Sequence, residues 1–478
     1  MTSNFYSAIH KNLSNNPNKE FLKWSNQGQS NSTFSGQVIL NKVASVGNSL
    51  QQKNLKEEEK VVIGIPFSPD FIFAVLGVMA YGAIPVLPPV AGTRVSLLRL
   101  LHREKIKGVY SNIPTGIRLL LVIFGIKIIC PVSGNKDLPN FQPREVAQDQ
   151  AALISFSSGS TGKPKAVYRT HKILQSQHLA LKESFPPVPN QNDFPLFPNI
   201  LLHNLALGIT TIIPDIPKLD VRQLEPERLL KQILNEKVDS LTGNVFYFKK
   251  LLNYLQQNDV LLPDVKELGI GGSPVPEYLP HLLKQYFINA TIYLIYGSTQ
   301  AEPIAIREVK ERKEPALGYF VGTIHPDISL RLTSSEKIKA RSKIYSAGHI
   351  EVKGKHVVLQ KDEEWLKTGD YGYLNENGEL FLTGRQGNNT LIQGYSHYQI
   401  ENLLTTLTDA KQVAAIANKD SFDIYYEGDV DPEKIRKILE VFPQSVFNLI
   451  KPIEKMPMDN RHHSKILYQK LCTQNLKM

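Results

Sequence analysis

The segment from Ala151 to His171 reads AALISFSSGSTGKPKAVYRTH and is the most informative stretch of the chain. The apolar run from Ala151 to Phe156 predicts one strand, and the β-rich run from Val167 to Thr170 predicts another. Hydroxyl, glycine and lysine residues are concentrated between the two runs: Ser157, Ser158, Gly159, Ser160, Thr161, Gly162, Lys163 and Lys165. Glycines let backbone N–H groups turn toward an anion, hydroxyls add donors, and lysines add charge. The segment therefore predicts a strand, a phosphate-binding loop and a second strand.

Two other structures are compatible with parts of this pattern. The first is a surface hairpin rich in serine and glycine, but the two lysines and the strand-like flanks favour an anion site. The second is a Walker A loop, G-x-x-x-x-G-K-[ST]. Only two residues separate Gly159 from Gly162, and Pro164 stands where that loop has its magnesium-binding Ser or Thr. Because proline also disfavours passing straight into a helix, we exclude the Walker A loop.

The sequence SSGSTGKPK resembles the phosphate loop of the adenylate-forming superfamily, which includes acyl-CoA synthetases, peptide-synthetase adenylation domains and luciferases. One difference is Ala166, where the family usually has Gly. The resemblance implies that the loop from Ser157 to Lys163 binds the nucleotide and that Lys165 takes part in catalysis.

Composition places few limits on the function. The 478 residues suffice for two or three domains, and the net charge of +10 is spread without a long basic run, so nucleic acid is not an expected partner. Two cysteines, Cys130 and Cys472, are too few for a disulfide framework or a metal cluster. The polar start and the interrupted apolar runs predict neither a signal peptide nor an integral membrane segment. We therefore expect a cytoplasmic enzyme.

The N-terminal part alternates between strand and helix patterns. Lys60 to Pro66 predicts a buried strand, Pro69 to Tyr81 a helix, and Gly82 to Pro89 a strand that prolines end. This order predicts a parallel sheet layered with helices. Phe34 to Leu50 predicts a further helix, whereas the apolar run from Ile117 to Ile129 combines helix and strand without a clear boundary.

Two later motifs fit an adenine nucleotide. Glu267 to Pro276 predicts a strand and a glycine-rich turn in which Gly271, Gly272 and Ser273 could face a flat ring, although an ordinary turn has the same pattern. The sequence from Tyr296 to Gln300, YGSTQ, resembles the family motif Y-G-x-T-E. The resemblance implies that Tyr296 stacks on adenine beside Gly297 and Ser298, and that Thr299 contacts phosphate. Gln300 replaces the glutamate that holds magnesium in the family, and an amide is a poorer ligand for this cation.

A further pair of motifs predicts the ribose site. Gly348 to Val358 predicts a half-exposed strand of a β-rich subdomain, and Glu376-Asn377-Gly378 predicts a hairpin turn. The T-G-D sequence ending at Asp370 and the G-R sequence ending at Arg385 match the family in order and spacing. A carboxylate suits ribose hydroxyls, and a guanidinium can reach ribose or phosphate.

The resemblance also implies a hinge and a small C-terminal domain. The predicted domains are residues 1–385 and a shorter than usual lid of residues 386–478, with Gly387 at the hinge position in place of an acid or lysine. The sequence DNRHHSK, from Asp459 to Lys465, resembles the family's terminal motif, which makes Lys465 the candidate catalytic lysine. Phe197 and His203 match the region that forms the acyl pocket in the family. This region and the R-H-x-S-K-I motif resemble olefin β-lactone synthetases.

The sequence thus predicts an α/β fold with a large domain of layered sheets, a β-rich subdomain and a small, mobile α+β domain. The implied activity is ATP- and Mg²⁺-dependent conversion of a carboxylic acid, fatty or otherwise acyl, to an acyl-adenylate. The acceptor is then the thiol of CoA or of an acyl carrier protein, or the substrate's own β-hydroxyl in a β-lactone synthetase. Gln300 and Gly387 leave open a third hypothesis, a degenerate protein that binds nucleotide without catalysis.

Overall fold

The computed structural model describes residues 3–26, 29–89, 94–112, 114–131, 141–157, 165–459 and 463–475. Two compact units are distinguished by their internal contacts. The first unit comprises Met1–Lys182 and Pro189–Lys218, and the second comprises Glu183–Val188 and Leu219–Met478. Among the described residues, none of the helices combines the length and the apolar character that a membrane span requires.

The elements that begin in the first unit alternate between helix and strand. The helices are α1 (Tyr6–Asn15), α2 (Gly36–Gln52), α3 (Pro69–Ala80), α4 (Arg94–Arg103), α5 (Thr115–Ile123), α6 (His171–Ser184) and α7 (Ile200–Leu207). The strands are β1 (Glu20–Asn26), β2 (Gln29–Ser35), β3 (Lys60–Ile63), β4 (Ile84–Val86), β5 (Gly108–Tyr110), β6 (Lys127–Ile129), β7 (Ala151–Ser157), β8 (Lys165–Thr170), β9 (Asn192–Pro195) and β10 (Thr210–Ile213).

The first unit contains a six-stranded sheet in the order β6-β5-β3-β4-β7-β8. The strands are parallel except for β8, which pairs antiparallel with β7; these two are the strands predicted on either side of the phosphate-loop segment. The helix predicted after Pro69 is confirmed as α3, whose start is capped by the Ser68 hydroxyl, and nearly all of its residues are buried. The run from Ile117 to Ile129 divides into α5 and β6 at Gly125, which has a φ of +70°. In the same unit β9, β10 and β1 run parallel, and β2 pairs with β1 in the opposite direction.

The second unit contains the remaining elements. Its helices are α8 (Pro226–Asn235), α9 (Val245–Asn258), α10 (Tyr278–Tyr286), α11 (His397–Leu407), α12 (Pro432–Leu439) and α13 (Tyr468–Asn475). Its strands are β11 (Ser240–Asn244), β12 (Glu267–Gly271), β13 (Thr291–Ser298), β14 (Ala301–Glu308), β15 (Tyr319–Ile324), β16 (Ile328–Ala340), β17 (Lys343–Gly354), β18 (Leu366–Leu374), β19 (Glu379–Arg385), β20 (Gln412–Asn418), β21 (Ser421–Glu427) and β22 (Phe447–Pro452).

Within this unit the strands from β11 to β19 lie in the order β16-β17-β18-β19-β15-β14-β13-β12-β11. Strands β11, β12 and β13 are parallel to one another. From β13 across the sheet to β16, neighbouring strands are antiparallel, which confirms the predicted β-rich subdomain. The strand predicted over 348–358 starts earlier, at Lys343, because β16 pairs with it that far, and it ends at Gly354. There the carbonyl oxygen of Asp327 lies so close that a Cβ would not fit.

The C-terminal part of the second unit is α+β, as predicted. Strands β20, β21 and β22 form a separate sheet, and a core that includes Ile400, Leu404 and Phe422 packs α11 and α12 against it. A capping box between Ser396 and Gln399 starts α11. The predicted domain boundary after Arg385 falls inside the second unit and remains a prediction.

Candidate functional site

The phosphate-loop segment is held at both ends by a strand pair. Ser157, at the end of β7, lies opposite Lys165, at the start of β8. The side chain of Lys165 is exposed. The other predicted loop residues lie outside the described part of the chain: Ser158, Gly159, Ser160, Thr161, Gly162 and Lys163. The flanking strands are thus confirmed, and the role of the loop remains a prediction.

The two acyl-pocket candidates occupy different environments in the first unit. Phe197 is half-buried just before α7, whereas His203, within α7, is buried. The Nδ1 atom of His203 lies 3.1 Å from the Nδ1 atom of His178 on α6. Burial, followed by the charges of His178 and Lys182, lowers the pKa of His203 to about 3. His203 is therefore neutral at pH 7 and a very weak base, which suits a packed polar pair in the fold.

The glycine-rich turn after β12 depends on its two glycines for different reasons. A Cβ on Gly271 would come within 2.9 Å of the carbonyl oxygen of Ile295 on β13, so the close approach of two strands requires glycine there. Gly272 has a φ of +80°, a backbone conformation that glycine adopts at little cost. The Oγ atom of Ser273 is buried and has no hydrogen-bond partner among the described residues. The turn therefore presents a buried hydroxyl that a ligand could bind.

Tyr296 and Asp370 are 74 residues apart in sequence and meet through side chains. The Tyr296 hydroxyl donates a hydrogen bond of 3.0 Å to Oδ2 of Asp370. Burial, together with the Asp370 charge, raises the pKa of Tyr296 well above its usual value, so the hydroxyl keeps its proton and acts as a donor. In the same strand Gly297 is half-buried and Ser298 is exposed, and Thr299 is half-buried in the turn to β14.

Asp370 also faces Arg385. These residues are direct partners on β18 and β19, and Nη1 of Arg385 lies 3.7 Å from Oδ1 of Asp370. The Asp370 charge raises the pKa of Arg385, so the guanidinium stays charged. Tyr296, Asp370 and Arg385 thus form a continuous polar group, which places the predicted ribose residues together.

Lys465 lies in a loop that Asp459 holds closed. Oδ1 of Asp459 accepts hydrogen bonds from the backbone N–H of Ser464 at 3.0 Å and of Lys465 at 2.8 Å. The backbone N–H of Asp459 donates to the carbonyl oxygen of Lys465 at 2.9 Å. The loop presents Lys465 to a cavity in the second unit that Arg385 also lines. Other residues that line this cavity are Phe246, Lys249, Pro274, Pro276, Tyr319, Tyr398, Glu401, His463, Ser464 and Tyr468.

Gln300 stands where the family motif has a glutamate, and its neutral amide does not supply the negative charge of that carboxylate. Its side-chain Nε2 atom is buried without a hydrogen-bond partner in the described structure, and its backbone carbonyl oxygen accepts from the backbone N–H of Val358 at 2.7 Å. Glu302, two residues on, is half-buried in β14. Gly387, at the predicted hinge, has a φ of +97°, and a Cβ there would meet no described atom within 4 Å.

Several residues on this cavity were not identified from the sequence, among them Lys249, Tyr398, Glu401 and Tyr468. The Tyr468 hydroxyl contacts both carboxylate oxygens of Glu401, at 2.9 and 3.2 Å, and Glu401 also accepts from the N–H of Ala415. Burial lowers the pKa of Lys249 to about 8. In the sequence, the feature that could have indicated Tyr468 is its position three residues after Lys465. That spacing alone does not predict a role for its side chain.

Comparison with known proteins gives a consistent result. A sequence model described as AMP-binding enzyme matches residues 9–360. A putative long chain fatty acid-CoA ligase, VraA of Staphylococcus haemolyticus, is 25% identical over 277 residues, which is 56% of this chain and 57% of that protein. An olefin beta-lactone synthetase of Stenotrophomonas maltophilia is 25% identical over 379 residues, which is 68% of each chain. The chain thus spans a little over half the length of the first relative and about two thirds of the second.

Solved structures share the fold. The crystal structure of apo MatB from Rhodopseudomonas palustris superposes with a TM-score of 0.78, covers 99% of both chains and is 18% identical. This likeness confirms the predicted fold class, a layered α/β part followed by β-rich and α+β parts.

Proposed function

This chain belongs to the AMP-binding enzyme family, and from that membership we propose that it activates a carboxylic acid with ATP. One carboxylate oxygen attacks the α-phosphorus, and the bond from the α-phosphorus to the oxygen that bridges it to the β-phosphorus breaks. That oxygen keeps the bonding electrons, and pyrophosphate leaves. The product is an acyl-adenylate of a fatty or other acyl acid, and no side chain is required as a covalent nucleophile.

The observation that carries this proposal is the cavity of the second unit lined by both Arg385 and Lys465. Arg385 faces Asp370, and Asp370 accepts the hydrogen bond of Tyr296. The carboxylate of Asp370 and the guanidinium of Arg385, beside one cavity, suit the ribose and phosphate of a nucleotide. The ammonium of Lys465 suits the substrate carboxylate that reacts with the phosphate. The grouping supports a nucleotide site more strongly than any of the motifs does alone.

We assign the roles as follows. Asp370 binds the ribose hydroxyls, Arg385 binds ribose or phosphate, and the turn from Gly271 to Ser273 faces adenine. The ammonium of Lys465 forms hydrogen bonds to the substrate carboxylate and to the α-phosphate. Negative charge develops there as the new bond forms, and a fixed cation lowers the reaction barrier most at such a position. In the first unit we assign the loop from Ser157 to Lys163 to phosphate, with Lys165 supporting the charge.

The described residues fit magnesium poorly at position 300. A neutral amide is a weaker ligand than a carboxylate for a hard cation, and Nε2 of Gln300, an atom that cannot ligate a metal while it carries its protons, is buried there. Magnesium supplied with ATP would neutralise phosphate charge. We assign this chain's own contribution at the reacting atoms to Lys465 and Arg385.

For the second step we propose a thiol acceptor, that of CoA or of an acyl carrier protein. Attack of the thiolate on the acyl carbon releases AMP and leaves a thioester. The name of the Staphylococcus haemolyticus relative, a putative CoA ligase, supports this acceptor.

The alternative acceptor is the substrate's own β-hydroxyl, which would close a β-lactone with release of AMP. The similarity to an olefin beta-lactone synthetase over 68% of the chain supports it. A reaction of a 3-hydroxy acid and ATP without CoA separates the two acceptors. Lactone in that mixture supports the alternative, and a thioester that forms only when CoA is added supports the thiol.

The first step is tested by exchange of labelled pyrophosphate into ATP with a panel of carboxylic acids. We expect exchange with at least one acid, and a decrease of roughly 100-fold or more in Lys465→Ala, the size typical for loss of one charge-stabilising group. Lys437→Ala removes an exposed lysine of α12 and should leave the rate unchanged. ATP binding without exchange for any acid would instead support the degenerate, nucleotide-binding protein.

A further inference from the structure

Three possible metal ligands meet in the second unit, beside the turn between β15 and β16. His325 and Asp327 lie in that turn, and His356 follows β17. Each side chain offers one ligand atom, and these atoms lie within 4.8 Å of one another. The two imidazole rings are perpendicular, with their centroids 5.0 Å apart. None of these residues takes part in the proposed adenylation site.

The hydrogen bond of His356 prepares one ring nitrogen for a metal. Nε2 lies 2.7 Å from the carbonyl oxygen of Pro303. Because a carbonyl oxygen only accepts, Nε2 must carry the proton, and Nδ1 of the neutral ring then presents its lone pair. A ring N–H fixed on a backbone carbonyl is a recurrent feature of metal-binding histidines, because it sets both the tautomer and the orientation of the ring.

His325 is buried and has an acidic neighbour. Its Nδ1 accepts from the backbone N–H of Asp327 at 3.1 Å, so the neutral ring carries its proton on Nε2, and Nδ1 holds the lone pair that a metal would take over from this hydrogen bond. Its Nε2 makes no hydrogen bond among the described residues, although Oε2 of Glu183 lies 3.8 Å away. Glu183 is mostly exposed, so its carboxylate can approach either the ring or a cation beside the ring. Like a backbone carbonyl, a carboxylate is a common hydrogen-bond acceptor for the ring N–H of a histidine that binds a metal through its other nitrogen.

The carboxylate of Asp327 already attracts a cation. Its Oδ1 accepts from the Lys355 ammonium at 2.6 Å, and both side chains reach solvent. Ion pairs of this exposed kind contribute little to stability, so a divalent ion can displace the ammonium at low cost. Lys355 is therefore a competitor for the carboxylate, and removing it should strengthen metal binding.

From this arrangement we propose that His325, Asp327 and His356 bind one divalent transition-metal ion of the Zn²⁺ type. Two imidazoles and a carboxylate suit zinc, cobalt or nickel, whereas magnesium and calcium prefer oxygen ligands. The next residues after His356 pair with the turn that holds Thr299: Val357 bridges to Ala301, and the N–H of Val358 bonds Gln300. A metal at His356 therefore steadies that turn from outside the nucleotide site.

The test is calorimetric titration of Zn²⁺ into untagged, metal-stripped full-length protein without ATP or an acid. We expect one equivalent that is absent in His356→Gln and at least about tenfold weaker in Asp327→Asn. Lys355→Ala should bind more tightly, and Asp409→Asn, which removes an exposed carboxylate paired with Lys434, should bind like the wild type. Co²⁺ should give a visible absorption band that is lost in His356→Gln.

The result is independent of catalysis, because every readout is binding to the resting protein. Equal Zn²⁺ affinity in the wild type, Asp327→Asn and His356→Gln would overturn the proposal, as would Mg²⁺ competing with Zn²⁺ at equal concentration. Since His356 is fully buried, His356→Gln could fail to fold. Asp327→Asn changes only a half-exposed side chain and tests the site without that risk.

Discussion

Gln300 shows how one residue alters the interpretation of a matching motif. The motif around it predicts a magnesium-binding acid, and the chain instead has an amide whose nitrogen is buried without a hydrogen-bond partner in the described structure. Tyr296, four residues earlier, uses its hydroxyl to bond Asp370. Tyr296 therefore keeps this contact with Asp370 although position 300 carries no charge.

Gln300→Glu should lower the Mg²⁺ concentration that gives half-maximal pyrophosphate exchange. We expect a change of roughly tenfold, equivalent to about 1.4 kcal/mol, because in the proposed site a carboxylate would replace an amide beside the phosphates. The measurement is the exchange rate as a function of Mg²⁺ at saturating ATP.

Gln386→Glu is the matched control for this variant, because it adds the same charge at an exposed position. An equal shift in both variants would mean that net charge alone, rather than position 300, governs the magnesium dependence.

At the scale of elements, α11 and α13 are joined by a buried carboxylate. Glu401 on α11 accepts from the hydroxyl of Tyr468, the first residue of α13, and from His397 on its own helix. Burial and the Glu401 charge raise the pKa of Tyr468 well above its usual value, so the hydroxyl remains a donor. Because Lys465 precedes α13 by three residues, this contact helps to set where Lys465 lies.

Tyr468→Phe should destabilise the protein by about 1–3 kcal/mol, since a buried carboxylate loses one of its donors. It should also lower the exchange rate, because the loop that carries Lys465 is less well held. Urea denaturation and pyrophosphate exchange on the same preparation measure the two effects.

Tyr345→Phe serves as the comparison, because it removes a hydroxyl that bonds Glu376 at an exposed hairpin. If Tyr468→Phe changed stability and exchange no more than Tyr345→Phe does, the contact would have no role in positioning Lys465.

The histidine pair between α6 and α7 predicts a dependence of stability on pH. The pKa of His178 is lowered to about 4 and that of His203 to about 3, from an ordinary value of 6.5. Burial is the largest cause for both rings, and a nearby positive charge lowers each pKa in the same direction. Between about pH 6.5 and 4 the unfolded chain binds protons that the folded rings do not, so folding stability falls as the pH falls. The loss is up to about 1.4 kcal/mol per pH unit for each ring.

Urea unfolding at pH 7, 6 and 5 measures this slope. His203→Asn should give a shallower decline than the wild type, because one titrating group is gone, and His102→Asn, at an exposed position of α4, should decline as the wild type does. Identical slopes in all three proteins would show that the pair does not couple folding to pH.

At the scale of the whole molecule, the predicted lid of residues 386–478 would need a hinge at Gly387. Its φ of +97° lies in the region that other residues adopt only with strain, about 1–3 kcal/mol. Gly387→Ala should therefore favour hinge conformations with negative φ and change the balance between the two half-reactions.

We expect Gly387→Ala to change the ratio of acyl transfer to pyrophosphate exchange several-fold, with both rates measured on one preparation. Gly378→Ala is matched in geometry, since Gly378 has a φ of +72° and open space for a Cβ, but it lies in the hairpin between β18 and β19. A ratio that is the same in both variants would argue against a hinge at residue 387.

The amino-acid sequence alone determined the local elements and the family. Apolar periodicity and end signals located α3 after Pro69, and Asn377-Gly378 located the turn between β18 and β19, because these features depend on neighbouring residues. The order of the motifs also predicted polar residues of the nucleotide site, including Asp370, Arg385 and Lys465.

Only the tertiary structure decided which of these side chains meet. Tyr296 reaches Asp370 across 74 residues and Tyr468 reaches Glu401 across 67, and neither pairing follows from a local pattern. Such contacts depend on strand register and on how helices pack, and a shift of one residue along a strand turns each side chain to the opposite face. For the same reason the sequence did not predict the cluster of His325, Asp327 and His356, which forms because the start of β16 pairs with the end of β17.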